Sequence, residues 1–377
     1  MSIIYADYAA TTPLDKRVLD AMMPYLTDVY YNASSTHEGG LQASQAVMKS
    51  RMDVAKHIGA RMGDVVFTSG ATEAINLAVL GLVRGGSPRK RIITVASEHK
   101  AMIDAFDHAQ MLGADVVFLG VDENGCVRPN DLRLAMNDNT LLVSVMTVNN
   151  ETGVKQDLAM LSAIAHEYGA LFMTDATQAY GKMPLNVDAL GIDLMSFSAH
   201  KIYGPKGVGA LYRRASITET FPIEPILFGG GQEGGIRSGT LNVPGIVGLA
   251  TAGNLAYADL AEESTRISTL RNQFEQGLLH AATVRVNGAD ADRSYNICNV
   301  TFIDAEPDKF MVDLGYIACS KGSACSSAKT TPSHVLSAMG RSADEADRSL
   351  RFSFGRFTTE EDIRKILHDI SSVIVSA

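Results

Sequence analysis

The sequence predicts an α/β fold. A large domain is built on a mostly parallel seven-stranded sheet, and a smaller α+β domain is joined to it. Three observations carry this expectation. From about residue 64, short apolar runs alternate with longer amphipathic stretches, as in a parallel sheet covered on both faces by crossover helices. Seven such runs occur before residue 214. After about residue 256 the chain changes to a charged helical stretch with shorter strands and helices.

The runs are DVVFTS (64–69), RIITVAS (91–97), DVVFLG (115–120), LLVSVMTV (141–148), ALFMTD (170–175), LMSFSA (194–199) and VGALYR (208–213). Between them, EAINLAVLGLV (73–83) and DLAMLSAIAHEYG (157–169) repeat apolar residues at spacings of three and four, the helical period. Right-handed crossovers then place ligands at the carboxyl ends of the strands. The second part opens with an amphipathic helix over 259–282. Strands follow at TVRVNG (283–288), YNICNVTFI (295–303) and SLRFSFG (349–355). Helices are expected at 307–316, at 332–340 with Thr331 as cap and Pro332 in first position, and at 359–376. The expected division is 16–256 for the large domain, with 1–15 and 257–377 forming the small one.

Composition narrows the function classes. With 377 residues, 46% hydrophobic and 20% charged, the chain supports roughly two cored domains and is not disordered. Its net charge of −9 argues against general binding to nucleic acid or anionic membrane. No apolar run reaches the roughly 18 residues of a membrane span, and the N-terminus lacks a secretory pattern. Four scattered cysteines without a C-x-x-C pair suggest neither a disulfide scaffold nor a zinc site. The expectation is a soluble cytoplasmic protein without metal, whose cysteines serve packing or thiol chemistry.

The candidate site residues stand where strands end. Lys201 follows LMSFSA. A lysine at the end of a buried strand loses its proton readily and condenses with carbonyls; a solvated loop lysine would leave the same pattern. Asp175 ends ALFMTD, one strand away. A carboxylate and a Schiff-base lysine in one cleft match the needs of pyridoxal phosphate. Thr72 lies in a strand-to-helix turn suited to an anion. Arg237 and Thr240 flank a glycine-rich stretch, 229–240, that favours a second anion site. His99 also follows a strand and could stack on a ring, and Asn150 stands in an Asn-Asn-Glu-Thr-Gly turn. Arg351 alternates with apolar residues on a small-domain strand and could clamp a carboxylate. Cys325 lies among small polar residues, 321–331. That pattern reads as an exposed, mobile loop, where a thiol favours chemistry over packing. Cys298 reads as packing, Cys126 as incidental, and Cys319 as ambiguous at the end of an apolar segment.

These segments together resemble the cysteine desulfurases of the NifS/IscS-like type, within the class-V aminotransferase group of fold-type-I PLP-dependent transferases. The resemblance runs from Tyr5–Pro13 through Gly70–Glu73, Asn149–Gly153, Asp175–Gln178, Ser198–Lys201 and Arg237–Thr240 to Gly322–Ser326. It implies that Lys201 holds pyridoxal 5'-phosphate as a Schiff base. Asp175 would pair with the ring nitrogen and Gln178 with the ring hydroxyl. Thr72, Ser198 and His200 would bind the phosphate, with Thr240 reaching it from the second subunit of a homodimer. His99 would stack on the ring, and Asn150 and Arg351 would hold the substrate carboxylate. Cys325 would take sulfur from L-cysteine as a persulfide, leaving alanine. A sulfur-acceptor protein would follow, for iron–sulfur cluster assembly or for thiolation of nucleic acid or cofactors. Two departures stand out. Ala33 replaces a common proline, with little effect expected. The chain ends soon after its last helix, which suggests a dedicated acceptor rather than a general scaffold. The rivals are a selenocysteine lyase, a class-V transaminase, which would not need Cys325, and a non-enzymatic sulfur-transfer scaffold.

Overall fold

Successive strand side chains point to opposite faces of a sheet, so a strand that is apolar throughout must be covered twice. The computed structural model describes residues 3–217, 220–305, 312, 314–322 and 332–375. The seven apolar runs become β2 (Val65–Thr68), β3 (Arg91–Val95), β4 (Asp115–Leu119), β5 (Thr140–Ser144), β6 (Leu171–Asp175), β7 (Leu194–Ser198) and β8 (Gly209–Arg213). They form one sheet in the order β2-β8-β7-β6-β5-β3-β4. The contiguous strands β4, β3, β5, β6 and β7 are mutually parallel, and β8 runs against both β7 and β2. All strands but β8 therefore share one direction, and their carboxyl ends share one edge.

The alternation decides which helix covers what. Val65, Phe67, Phe172, Met195 and Phe197 face one layer. That layer includes α1 (Lys16–Thr27), α2 (Glu38–His57), α5 (Pro129–Ala135), α6 (Leu158–Glu167) and α7 (Val243–Ala258). Val66, Leu171, Met173, Leu194 and Leu211 face the other, formed by α3 (Ala71–Arg84) and α4 (Lys100–Met111). Each large apolar side chain buried this way contributes about 1.5–3 kcal/mol. Helices α1 and α2 carry signals against helix: Pro24 inside α1, and Gly39-Gly40 in the first turn of α2. Packing overrides them. Val18 and Met22 of α1, and Gly40, Ala43 and Val47 of α2, are buried.

The last third builds a second layer pair. Strands β9 (Val284–Val286), β10 (Ile297–Phe302) and β12 (Ser349–Ser353) pair antiparallel in the order β12-β10-β9. Helices α8 (Leu260–Ala281) and α11 (Glu360–Val375) close over them. Phe274 sits between Phe352 and Phe354, with ring centroids 4.7 and 5.2 Å away. The N-terminal strand β1 (Ile4–Tyr5) crosses to pair in parallel with β11 (Ile317–Ala318). This crossing brings residues 6–12 past the edge where β6 and β7 end.

One helix start differs from expectation. Helix α9 (His334–Ala338) begins after Ser333, not at Pro332, because the Ser333 hydroxyl accepts from the Leu336 N–H at 3.2 Å and supplies the cap. The next helix, α10 (Ala343–Asp347), opens on a reciprocal capping box between Ser342 and Glu345. Most of the stretch read as a helix over 307–316, and Cys325 with its neighbours 323–331, lie outside the described residues. Among the described residues, no helix is long and apolar enough to cross a membrane.

Candidate active site

Because the strands share a direction, their carboxyl ends converge on one cavity of about 180 Å³. Its wall includes Thr72, His99, Asn150, Asp175, Gln178, Ser198, His200, Lys201 and Arg351. Thr240 lies elsewhere, exposed on its own chain. Cys325 is outside the described residues; the described residues on either side of 323–331 bond to Arg351 of this wall, to Asp7, and to Glu98 and Glu151, the chain neighbours of His99 and Asn150. Ser320 exchanges backbone hydrogen bonds with Arg351, at 3.1 and 2.7 Å, and donates through Oγ to Asp7 at 2.8 Å. On the far side, Ser333 Oγ donates to Glu151 Oε2 at 2.5 Å, and the His334 ring meets the Glu98 carbonyl oxygen at 2.8 Å.

Lys201 ends a single turn that follows β7. The N-terminal segment clamps that turn. Lys201 Nζ donates to the carbonyls of Ala9 and Ala10 at 2.7 and 2.6 Å. Thr12 donates from its N–H and from its hydroxyl to the His200 carbonyl, both at 2.9 Å, and its hydroxyl accepts from Tyr203 N–H at 2.7 Å. Tyr203 is held at φ +66°, a conformation costing about 1–3 kcal/mol for a bulky residue. The Arg356 guanidinium over its ring, at 4.2 Å, and the Arg356 N–H on its hydroxyl, at 2.5 Å, help hold it there. The turn is therefore fixed by residues nearly 200 positions away in sequence.

The charges sort into two classes. Glu98 is fully buried, with Oε1 accepting from Met146 N–H at 2.5 Å. Burial, and then the negative charge of Asp175, push its carboxyl well above the ordinary range. Asp175, on the pocket wall, accepts from Thr177 N–H at 2.9 Å. Burial lowers His99, whose Nδ1 caps α4 by accepting from Ala101 N–H at 3.1 Å. Burial and the nearby lysines Lys201, Lys206 and Lys182 push His200 down to about 4. His200 is thus a neutral ring at physiological pH.

The phosphate-type turn has a specific construction. Gly70 precedes α3, and Ser198 Oγ accepts from Ala71 N–H at 2.7 Å. The turn rests directly on β8: a Cβ at Gly209 would lie 2.7 Å from the Gly70 Cα and 2.4 Å from the Phe197 carbonyl oxygen. Only glycine allows that approach. The expectation that Arg237 is an anion donor is corrected. Arg237 Nε donates to Glu73 Oε1 at 2.7 Å and its NH2 to Oε2 at 3.3 Å. Glu73 is the helix-start carboxylate that also accepts from Ser69 N–H, so it takes the arginine first. The glycine-rich stretch is also pinned at Glu233, which pairs with Arg51 at 2.6 Å. Arg351 is likewise not a surface residue. It is buried, with NH1 donating to the Asn150 carbonyl at 2.9 Å and NH2 to Asp7 at 2.7 Å.

Three polar atoms of the wall are buried without a protein partner: Asn150 Oδ1, Thr177 Oγ1 and Arg351 Nε. Such atoms are costly unless something meets them, so the wall is built for a polar ligand. Sequence reasoning missed Thr177, Asp7, Lys182 and the Ala9 and Ala10 carbonyls. No local pattern marks Asp7 and the two carbonyls, because their roles come from the long crossing of β1; Thr177 stands beside Asp175 and Lys182 reaches Gln178, both within one short stretch. Cys298 is fully buried as expected, and Cys319 is half-buried.

The fold has known counterparts. Residues 4–366 match the family model for class-V aminotransferases. The chain is 44% identical over 373 residues to the cysteine desulfurase IscS of Neisseria meningitidis serogroup C (strain 053442), covering 98% of this chain and 92% of that protein. It superposes on a solved NifS-like protein with a TM-score of 0.92 at 33% identity, over the full length of both. A structure described as SspA in complex with cysteine matches with a TM-score of 0.84 at 34% identity, over 94% of this chain and 99% of that one.

Proposed function

The chain belongs to the class-V aminotransferase family and is a cysteine desulfurase, and from that premise we propose a division of labour among its residues. The observation that carries it is the single wall holding the Lys201 amine, the Asp175 carboxyl, a neutral imidazole and an arginine around orphaned polar atoms.

The wall fits pyridoxal 5'-phosphate. Lys201 would hold it covalently, Asp175 would face its ring nitrogen, and Gln178 its ring oxygen. Thr72, Ser198 and His200 would hold its phosphate at the start of α3, where helix N–H groups favour an anion. His99 would lie against its ring. When bound, this group withdraws electrons from the α-carbon of an attached amino acid.

The chain's own residues do the rest. Arg351 and Asn150 orient the L-cysteine carboxylate. The Lys201 amine takes the α-proton, which positions it as general base. The Cys325 thiolate attacks the substrate sulfur. A sulfur–sulfur bond forms, the carbon–sulfur bond breaks, and its electron pair stays with carbon, which is protonated and leaves as alanine. Cys325 then carries a persulfide for a sulfur-acceptor protein, either a scaffold for iron–sulfur clusters or a thiolation enzyme. The rival readings separate here: transamination needs no thiol, and a selenocysteine lyase would show selenide release favoured over sulfide. The test is the product ratio from L-cysteine with a thiol reductant. Equal molar alanine and sulfide support desulfuration. Pyruvate, or an amino group moved to a keto acid, would replace it with lyase or transaminase chemistry.

We also propose a homodimer. Helices α1 and α2 both lie against α7. They expose Leu19, Met23, Leu26, Leu41, Met48 and Met52, apolar side chains that a second chain would cover. A second copy covering this side would bring its Thr240 toward the phosphate end. Sedimentation should give twice the chain mass; a monomer at micromolar concentration would remove this part of the account.

A further inference from the structure

A second buried lysine stands behind the wall just described. Lys182 is buried yet, among the described residues, makes no ion pair: its Nζ donates to Gln178 Oε1 at 2.8 Å. Gln178 turns its other end inward, with Nε2 donating to the Ala9 carbonyl at 2.8 Å. That carbonyl also accepts from Lys201 at 2.7 Å. The two lysines are thus joined through one glutamine amide and one carbonyl oxygen. An ammonium has donors only, so the Lys182 end of the amide must be its oxygen. The end that faces the cavity must then be the NH2.

Resting on the reading of the pocket as a pyridoxal phosphate site, we propose that Lys182 is a positioning residue. It locks Gln178 with its N–H groups toward the cofactor's ring oxygen, and it places a second cation behind that oxygen. Either effect stabilises the deprotonated ring oxygen. The surroundings agree with a strained cation. Burial, then repulsion from Lys201, push Lys182 down to about 7, with Arg351 adding to this and Glu263 opposing it. With Gln178, Lys182 borders a separate cavity of about 340 Å³ between α8 and the Gln178–Pro184 stretch, and with Lys201 a smaller one lined by Glu263, which is itself paired with Arg356. In the larger, Lys155 is paired with Asp292 and Arg293 with Glu275, and the Tyr295 hydroxyl is pushed up by burial. None of these supplies a counter-ion to Lys182. A lysine kept in such a place for packing alone would be better replaced by methionine.

The test is the pH midpoint of the visible band of the holoenzyme, reconstituted with pyridoxal 5'-phosphate. Lys182→Met loses donor and charge, and both losses favour the protonated form, so its midpoint should rise by about one pH unit or more. Lys182→Gln keeps a donor and loses the charge, so its rise should be smaller. Lys182→Arg keeps both and should restore a midpoint near the natural one. A structural role would lower the melting temperature without moving a spectral midpoint. An unchanged or lowered midpoint in folded Lys182→Met overturns the proposal. If that variant does not fold, the same result in Lys182→Gln overturns it. Absence of any visible band in the natural protein after reconstitution would instead overturn the reading of the pocket itself, and the proposal with it.

Discussion

Replacing Cys325 by alanine is expected to lower sulfide release from L-cysteine by at least about 10³-fold while the visible band of the bound cofactor persists. The magnitude follows from deleting the nucleophile of a covalent step, for which no other group in the site substitutes. Among the described cysteines, Cys298 is fully buried, and burial pushes its thiol well above the ordinary range. Cys319 is pushed up to about 12, again first by burial. In both, burial disfavours the thiolate. Gly322, three residues before Cys325 in the sequence, lies beside Glu151 and Ser333. The expected split is therefore clean: binding and colour retained, sulfur transfer lost. Measured by alanine and sulfide together, both should fall. Retention of full turnover in Cys325→Ala would point to the transaminase reading.

The second large effect is expected at Lys201. Lys201→Ala removes both the covalent hold on the cofactor and the base for the α-proton, so kcat should fall at least about 10³-fold. The cofactor should also be lost on gel filtration, where the natural protein keeps it. The fold should survive. The turn is held by Thr12 on the His200 carbonyl and by Tyr203, neither of which uses the Lys201 side chain. A thermal unfolding curve close to that of the natural protein, with the activity gone, is the result to look for. Comparable kcat in the variant would take Lys201 out of the chemistry.

Much of this site was legible because strand ends are local features. The apolar runs that become β6 and β7 stop at Asp175 and Ser198, and a parallel sheet puts such ends on one edge. Residues at those ends could be placed together without knowing any contact. What stayed hidden was long-range. The Ala9 and Ala10 carbonyls on Lys201, and Asp7 on Arg351, depend on β1 crossing to β11, a two-residue pairing with no sequence period. Arg237 was misread for a related reason. Its glycine-rich context allowed an anion, but Glu73, 164 residues earlier, claims the guanidinium. Helices α1 and α2 were obscured by Pro24 and Gly39-Gly40, where burial against α7 outweighs propensity.

The central claim is that sulfur leaves L-cysteine by passing onto Cys325. Its most direct measurement is a single turnover of the holoenzyme without reductant, followed by mass spectrometry of the Cys325 peptide. The account predicts the added mass of one sulfur atom on that peptide, matched by one alanine released per site and removed by a thiol. Alanine released with Cys325 left unmodified, or sulfur found on another cysteine, would contradict it.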